Sequence, residues 1–378
     1  MTLRLPRWFV LFALLTGCPG PEETPDVGAL DAPSPGVDAP SPEVDAPELG
    51  VDAPSPEVDA PAPGVDAPST GVDAPVADLD AGPAPSGEPG APGPYALGAP
   101  ITDTVVRGSR RTPVRALVPT LPLGETAPLV VFLPGFQLDA AQYALTQERI
   151  AGHGFVVVGA DPTATFASAN HVEMAADAVA VIDWALAAPG LASAIDPARI
   201  AMMGHSLGGK VSTMTAARDA RVRALVLLDP VNGTAGPFGG YTASAPDIVP
   251  EQVAPLDIPM GIFGETLDGT GGFGGTPCAP AAQNYTTFYD AASAGSSPWA
   301  AEWTLTGANH MQFLDDRSTC GLTCSFCAMP TASDAVVLTA VRTLSVAFLR
   351  RHFRGETAMD AYLTGGSLPA GVTTRHDP

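Results

Sequence analysis

Residues 204–208 read Gly-His-Ser-Leu-Gly, a G-x-S-x-G pattern. A serine hydroxyl is a weak nucleophile alone. It needs a histidine to take its proton, a carboxylate to hold that histidine, and hydrogen-bond donors for the oxyanion that forms. A chain that supplies all four performs acyl transfer. The chain has six histidines. His205 lies inside the motif, where packing beside the serine is expected. His153 precedes an apolar run, His171 opens a helical stretch, and His352 and His376 lie near the end. His310 follows Thr304-Leu305-Thr306-Gly307-Ala308-Asn309, a strand and then a loop. That is the position of the base when the order along the chain is serine, acid, histidine. Three carboxylates, Asp229, Glu265 and Asp268, follow apolar runs and remain open as the acid; Asp315 and Asp316 sit too close in sequence to His310 to be favoured. The oxyanion donors expected are the N–H of Leu207, next after the nucleophile, and the N–H of Phe136, with Gln137 as the alternative.

These residues need elements that bring them to one place. Leu129-Val130-Val131-Phe132-Leu133 and Phe155-Val156-Val157-Val158-Gly159 are apolar throughout, as strands buried on both faces are. Further strands are expected at 114–118, 199–203, 223–228, 258–263 and 302–305. Helices are expected at 140–152, 171–188, 206–218 and 335–353, the second with Met174, Ala178, Val181, Ile182 and Leu186 on one face. Strand and helix alternate, which predicts an α/β domain with a mostly parallel sheet covered on both faces. In such sheets the residues just past the strand ends form the site. Ser206, Asp229 and His310 all stand there, and so does the Pro134-Gly135 turn that leads to Phe136. Residues 231–257 and the glycine-rich 264–276 are expected to line an entrance with no large lid.

The sequence also resembles a known family. Gly204-His205-Ser206-Leu207-Gly208-Gly209-Lys210 and Leu227-Leu228-Asp229-Pro230-Val231-Asn232-Gly233 are similar to the chlorophyllase family of α/β-hydrolases. So are Ile150-Ala151-Gly152-His153-Gly154-Phe155, Pro277-Cys278-Ala279-Pro280 and His310-Met311-Gln312-Phe313-Leu314-Asp315-Asp316. The likeness runs from about 95 to 355. Bacterial cutinase-like and dienelactone-hydrolase-like enzymes are similar more loosely. The resemblance implies an α/β-hydrolase fold and hydrolysis of carboxylic esters without metal or cofactor. It moves the acid to Asp229, the aspartate of the family's Asp-Pro-Val motif. It gives Lys210, the chain's one lysine, a structural role. Plant members often carry arginine where Leu207 stands and His-Gly where this chain has Pro134-Gly135, so the pocket wall differs.

The amino end has another character. Arg4 and Arg7 precede an apolar run, Trp8 to Leu15, too short to span a bilayer. Leu15-Thr16-Gly17-Cys18 resembles a bacterial lipobox, which implies cleavage after residue 17 and a lipid on Cys18. From 18 to 92, Val-Asp-Ala-Pro recurs at 37, 44, 51, 58, 65 and 72. Proline in every repeat excludes a coiled coil, and the scarcity of large apolar groups predicts a disordered acidic tether. The net charge of −22 sits mostly there: 16 of 40 acidic residues lie between Glu22 and Glu88, and beyond Glu88 24 acids face 16 bases. No basic patch stands out, which argues against nucleic acid as a partner. The partners expected are an ester substrate and a membrane reached through the lipid, with a monomeric enzyme in the bacterial envelope. The hydrolase domain is expected at 93–355 and a tail at 356–378. Cys278, Cys320, Cys324 and Cys327, an even number in an exported chain, predict two disulfides of open pairing. A zinc site is disfavoured, because the cluster lacks suitably spaced histidine.

Overall fold

A computed structural model describes residues 87–162, 169–233, 240–267, 269, 277–320, 324–325 and 327–378. The expected signal, Cys18 and the repeats lie outside the described residues, as do Asp268 and most of the glycine-rich stretch. In chain order the elements are β1 (Ile101–Arg107), β2 (Arg110–Leu117), β3 (Ala127–Leu133), α1 (Ala144–Gly152), β4 (Val156–Ala160), α2 (His171–Ala187), β5 (Ile195–His205) and α3 (Leu207–Ala216). Then follow β6 (Val222–Leu228), β7 (Met260–Glu265), α4 (Tyr285–Ser293), β8 (Ala300–Leu305), α5 (Asp334–Arg354), α6 (Asp360–Leu363) and β9 (Val372–Asp377).

The nine strands form one sheet in the order β1-β2-β4-β3-β5-β6-β7-β8-β9. The inner strands β4, β3, β5, β6, β7 and β8 run parallel. β1, β2 and β9 are antiparallel to their neighbours. All seven residues of β3 are buried. The reason is the two-residue period of a strand inside two layers. Leu129, Val131 and Leu133 join one core with Val181 of α2, Met214 of α3 and Phe288 of α4. Val130 and Phe132 join a second core with Ile150 of α1 and Val341 and Phe348 of α5. Two helix ends are capped in the usual way: at the start of α2 Asn170 accepts from Glu173 N–H at 3.0 Å, and α5 ends at Gly355 in a left-handed conformation (φ 68°).

The expected parallel sheet and flanking helices are present, and the differences have physical causes. Ser206 is not helical but caps α3. Residues 140–152 split into a 3₁₀ turn, 140–143, and α1. β1 buries Val105 alone among its seven residues, and β9 reads Val-Thr-Thr-Arg-His-Asp and buries none. Such polar edge strands are held by backbone pairing and carry no apolar pattern. The stretch 356–378, expected as a tail, instead supplies α6 and β9, whose Asp377 pairs with Ala300 of β8.

Candidate active site

β5 delivers Ser206 at its carboxyl end, on a turn where the serine adopts φ 55°. With ψ −122° this is a sparsely populated backbone region that costs a non-glycine residue roughly 1–3 kcal/mol, so neighbours must hold it. Ser206 N–H donates to Leu228 O at 3.0 Å, and Ser206 O accepts from Gly209 N–H at 3.0 Å and Val231 N–H at 3.2 Å. Strand and helix touch through glycines. A Cβ on Gly204 would lie 2.3 Å from Gly208 O, and one on Gly208 would lie 2.2 Å from Leu133 O. The amino end of α3 therefore packs directly against β5 and the end of β3.

Asp229 follows β6, fully buried, with its N–H donating to Phe263 O at 3.0 Å. His310 opens a 3₁₀ turn, 310–313, beyond β8. Asn309 caps that turn and Gln312 closes a capping box with it. His310 Nδ1 and Asp229 Oδ2 are 2.5 Å apart. A carboxylate accepts, so Nδ1 carries the hydrogen and Nε2 is left as the basic nitrogen. Two of the other acids among the described residues have partners of their own. Glu265, at the end of β7, accepts from Leu267 N–H at 2.5 Å. Asp315 accepts from Thr146 N–H and from Arg342, so it braces α1 against α5.

The loop after β3 lies against the elbow. Leu138 N–H donates to Gly135 O at 3.1 Å, and Gln137 takes φ 57° to close the turn. A Cβ on Gly135 would lie 3.2 Å from Ser206 Cβ and 3.1 Å from His205 Nδ1. Among the described residues, neither Phe136 nor Leu207 has an acceptor for its backbone N–H.

Three further groups surround this set. His205 packs beside the serine as expected, but it also forms two hydrogen bonds, to Tyr143 Oη at 2.7 Å and to His310 O at 2.9 Å. Burial, with His310 nearby, holds its protonation far below the ordinary histidine range. Tyr143 carries no sequence signal for this contact, since a tyrosine in a turn forms no motif. Lys210, fully buried, donates to Asn232 O at 2.6 Å, and burial lowers its pKa to about 8. It ties α3 to the segment after Asp229. The four cysteines pair as Cys278–Cys327 and Cys320–Cys324. The first bridge reaches the segment whose Ala328 O accepts from the Asn309 side chain at 2.6 Å, beside His310. No metal-holding cluster of His, Cys, Asp or Glu occurs among the described residues.

This arrangement can be set beside known proteins. A family model described as Chlorophyllase matches residues 99–367. Chlorophyllase-1, chloroplastic, of Citrus sinensis is 29% identical over 262 residues, which cover 65% of this chain and 74% of that protein. Chlorophyllase-1 of Arabidopsis thaliana is 31% identical over 220 residues, 54% of this chain and 64% of its own length. Cutinase 2 of Thermobifida cellulosilytica is 34% identical over 103 residues, 27% of this chain and 38% of that protein.

Proposed function

The chain belongs to the chlorophyllase family and is an ester hydrolase of the α/β-hydrolase type, and from that membership we propose that Ser206, His310 and Asp229 are its catalytic triad. The observation that carries the reading is the 2.5 Å contact between His310 Nδ1 and buried Asp229, set at the strand ends beside the elbow of Ser206. Ser206 Oγ attacks the ester carbonyl as His310 Nε2 takes its proton. Asp229 holds the ring and stabilises the imidazolium. The N–H groups of Leu207 and Phe136 receive the oxyanion; removing one such donor typically costs about 3–4 kcal/mol. The tetrahedral intermediate collapses, and His310 returns the proton to the departing alcohol. Water, activated by the same nitrogen, then releases the acid from Ser206. The likeness to chlorophyllases and cutinases supports an ester on a large apolar body or a polymer as the substrate class. The lipobox-like Leu15-Thr16-Gly17-Cys18 and the acidic repeats support an enzyme tethered by lipid to a bacterial envelope.

One experiment tests both parts. The full chain is expressed with its own amino end, cells are fractionated, and each fraction is assayed with short and medium p-nitrophenyl esters. Activity is expected in the membrane fraction, and in the soluble fraction for Cys18→Ala. Ser206→Ala is expected to lose at least about 10⁴-fold in kcat. A Ser206→Ala enzyme as fast as the wild type overturns the triad, and a soluble wild-type activity overturns the anchor.

A further inference from the structure

We propose that Tyr143 and His205 are positioning residues, which hold the backbone of His310 in register with the nucleophile through one directed chain of hydrogen bonds. The proposal rests on the triad assigned above. The direction of the chain follows from chemistry. A carbonyl oxygen only accepts, so His205 Nε2 carries a hydrogen and donates it to His310 O at 2.9 Å. With one hydrogen on a neutral ring, Nδ1 is left as an acceptor. It takes the hydroxyl hydrogen of Tyr143 at 2.7 Å. The Tyr143 oxygen then faces Gly135 N–H at 3.5 Å. One chain thus runs from the loop that carries Phe136, through Tyr143, through the residue that precedes Ser206, to the backbone of the base.

Every ring in the chain is fixed by packing. Tyr143 and His205 are fully buried. The Tyr143 ring centroid lies 4.7 Å from that of Phe132, and the His205 ring stacks on Phe313 at 5.6 Å. The His205 and His310 centroids are 4.5 Å apart. His310 becomes positive when it takes the serine proton, so a neutral His205 beside it avoids a like charge. The same 3₁₀ turn that carries Tyr143 also grips the exit of the His310 turn. Asp315 N–H and Asp316 N–H donate to Gln142 O at 2.9 and 3.0 Å. The turn of the base is therefore held at its first residue by His205 and just past its last by Gln142. His205 adjoins Ser206 in the chain, so a shift of one reaction partner is passed to the other.

A positioning role acts on the chemical steps and not on substrate affinity. Tyr143→Phe keeps the ring and removes the hydroxyl, which frees His205 to adopt the other tautomer and lose its bond to His310 O. We expect kcat on p-nitrophenyl butyrate to fall about 10-fold with KM unchanged. His205→Leu should lose more, about 100-fold. His205→Gln, whose amide N–H₂ can reach the same carbonyl, should recover most of that loss, and a rescue of this kind does not depend on whether Tyr143→Phe folds. Unchanged kcat in Tyr143→Phe, a rise in KM instead of a fall in kcat, or no rescue by His205→Gln overturns the proposal. None of these outcomes alters the expectation for Ser206→Ala, so failure here is separable from failure of the triad.

Discussion

Asp229 and Glu265 end neighbouring strands, and both are buried. What separates them is where the carboxylate goes. Asp229 takes φ 44°, and its Oδ2 meets His310 Nδ1 at 2.5 Å. Glu265 accepts from Leu267 N–H in its own loop. Asp229→Asn keeps the shape but removes the charge, and its amide disturbs the tautomer of His310. It is expected to lower kcat by about 10⁴-fold, while Glu265→Gln changes it by less than about tenfold; steady-state kinetics on the two variants decides between the acids. At this scale the sequence is informative unevenly. The proposed nucleophile Ser206 and base His310 can be picked out from sequence, because a G-x-S-x-G turn has a fixed pattern and a histidine after the last inner strand a fixed place. Order alone does not choose the acid, since three carboxylates follow strands, and the proposal of Asp229 leans on the Asp-Pro-Val likeness. Tyr143 is invisible, for its partner His205 lies 62 positions away and no spacing announces the contact.

Gly208 illustrates the scale of elements. It lies where α3, β5 and the end of β3 meet, and a Cβ there would lie 2.2 Å from Leu133 O and 2.5 Å from Pro134 O. Backbone atoms cannot swing aside as a side-chain tip does. Gly208→Ala must push the Phe136 loop away from the elbow, at a cost of about 1–3 kcal/mol in stability. Activity is expected to fall further than stability does, as seen by kcat beside a denaturant melt of the same preparation. The inner strands are legible where both faces are buried: β3 is apolar throughout, and β6 is apolar from Ala224 onward. β1 and β9 were not, since an edge strand is specified by its partner's free backbone groups and not by its own side chains. α4 was missed for a related reason: Tyr-Thr-Thr-Phe-Tyr has weak helix propensity, and packing of Phe288 and Ala292 decides its conformation.

The whole molecule has buried histidines whose titration sets its acid tolerance. Burial lowers the pKa of His171 and of His352 to about 4 from 6.5, and lowers those of His153 and His205 as well. Between the folded and unfolded values the unfolded chain binds more protons, so stability falls as pH drops from about 6.5 towards 4. His171 and His352 each contribute a loss on the order of 2 kcal/mol between pH 7 and pH 5. Asp161 acts with the opposite sign. Burial raises its pKa to about 6, and it gains on the order of 1 kcal/mol over the same interval. The histidines win, the more so with His153 and His205 acting in the same direction, and urea melts at pH 7 and pH 5 are expected to differ by at least about 3 kcal/mol in favour of pH 7. Equal midpoints would mean that these rings are hydrated.

The burial of Lys210 has a consequence at the bench. It is the chain's one lysine, and it lies fully enclosed on the buried side of α3. Apart from the α-amine, a reagent that acylates amines finds no target on the folded surface, and a protease that cuts after lysine finds no site. The ε-amine becomes accessible when α3 leaves the sheet. An amine-reactive dye therefore labels this residue in proportion to the population in which the elbow is open when reclosing is faster than acylation, and the single nucleophilic side chain of its kind becomes a built-in reporter of local unfolding at the candidate site.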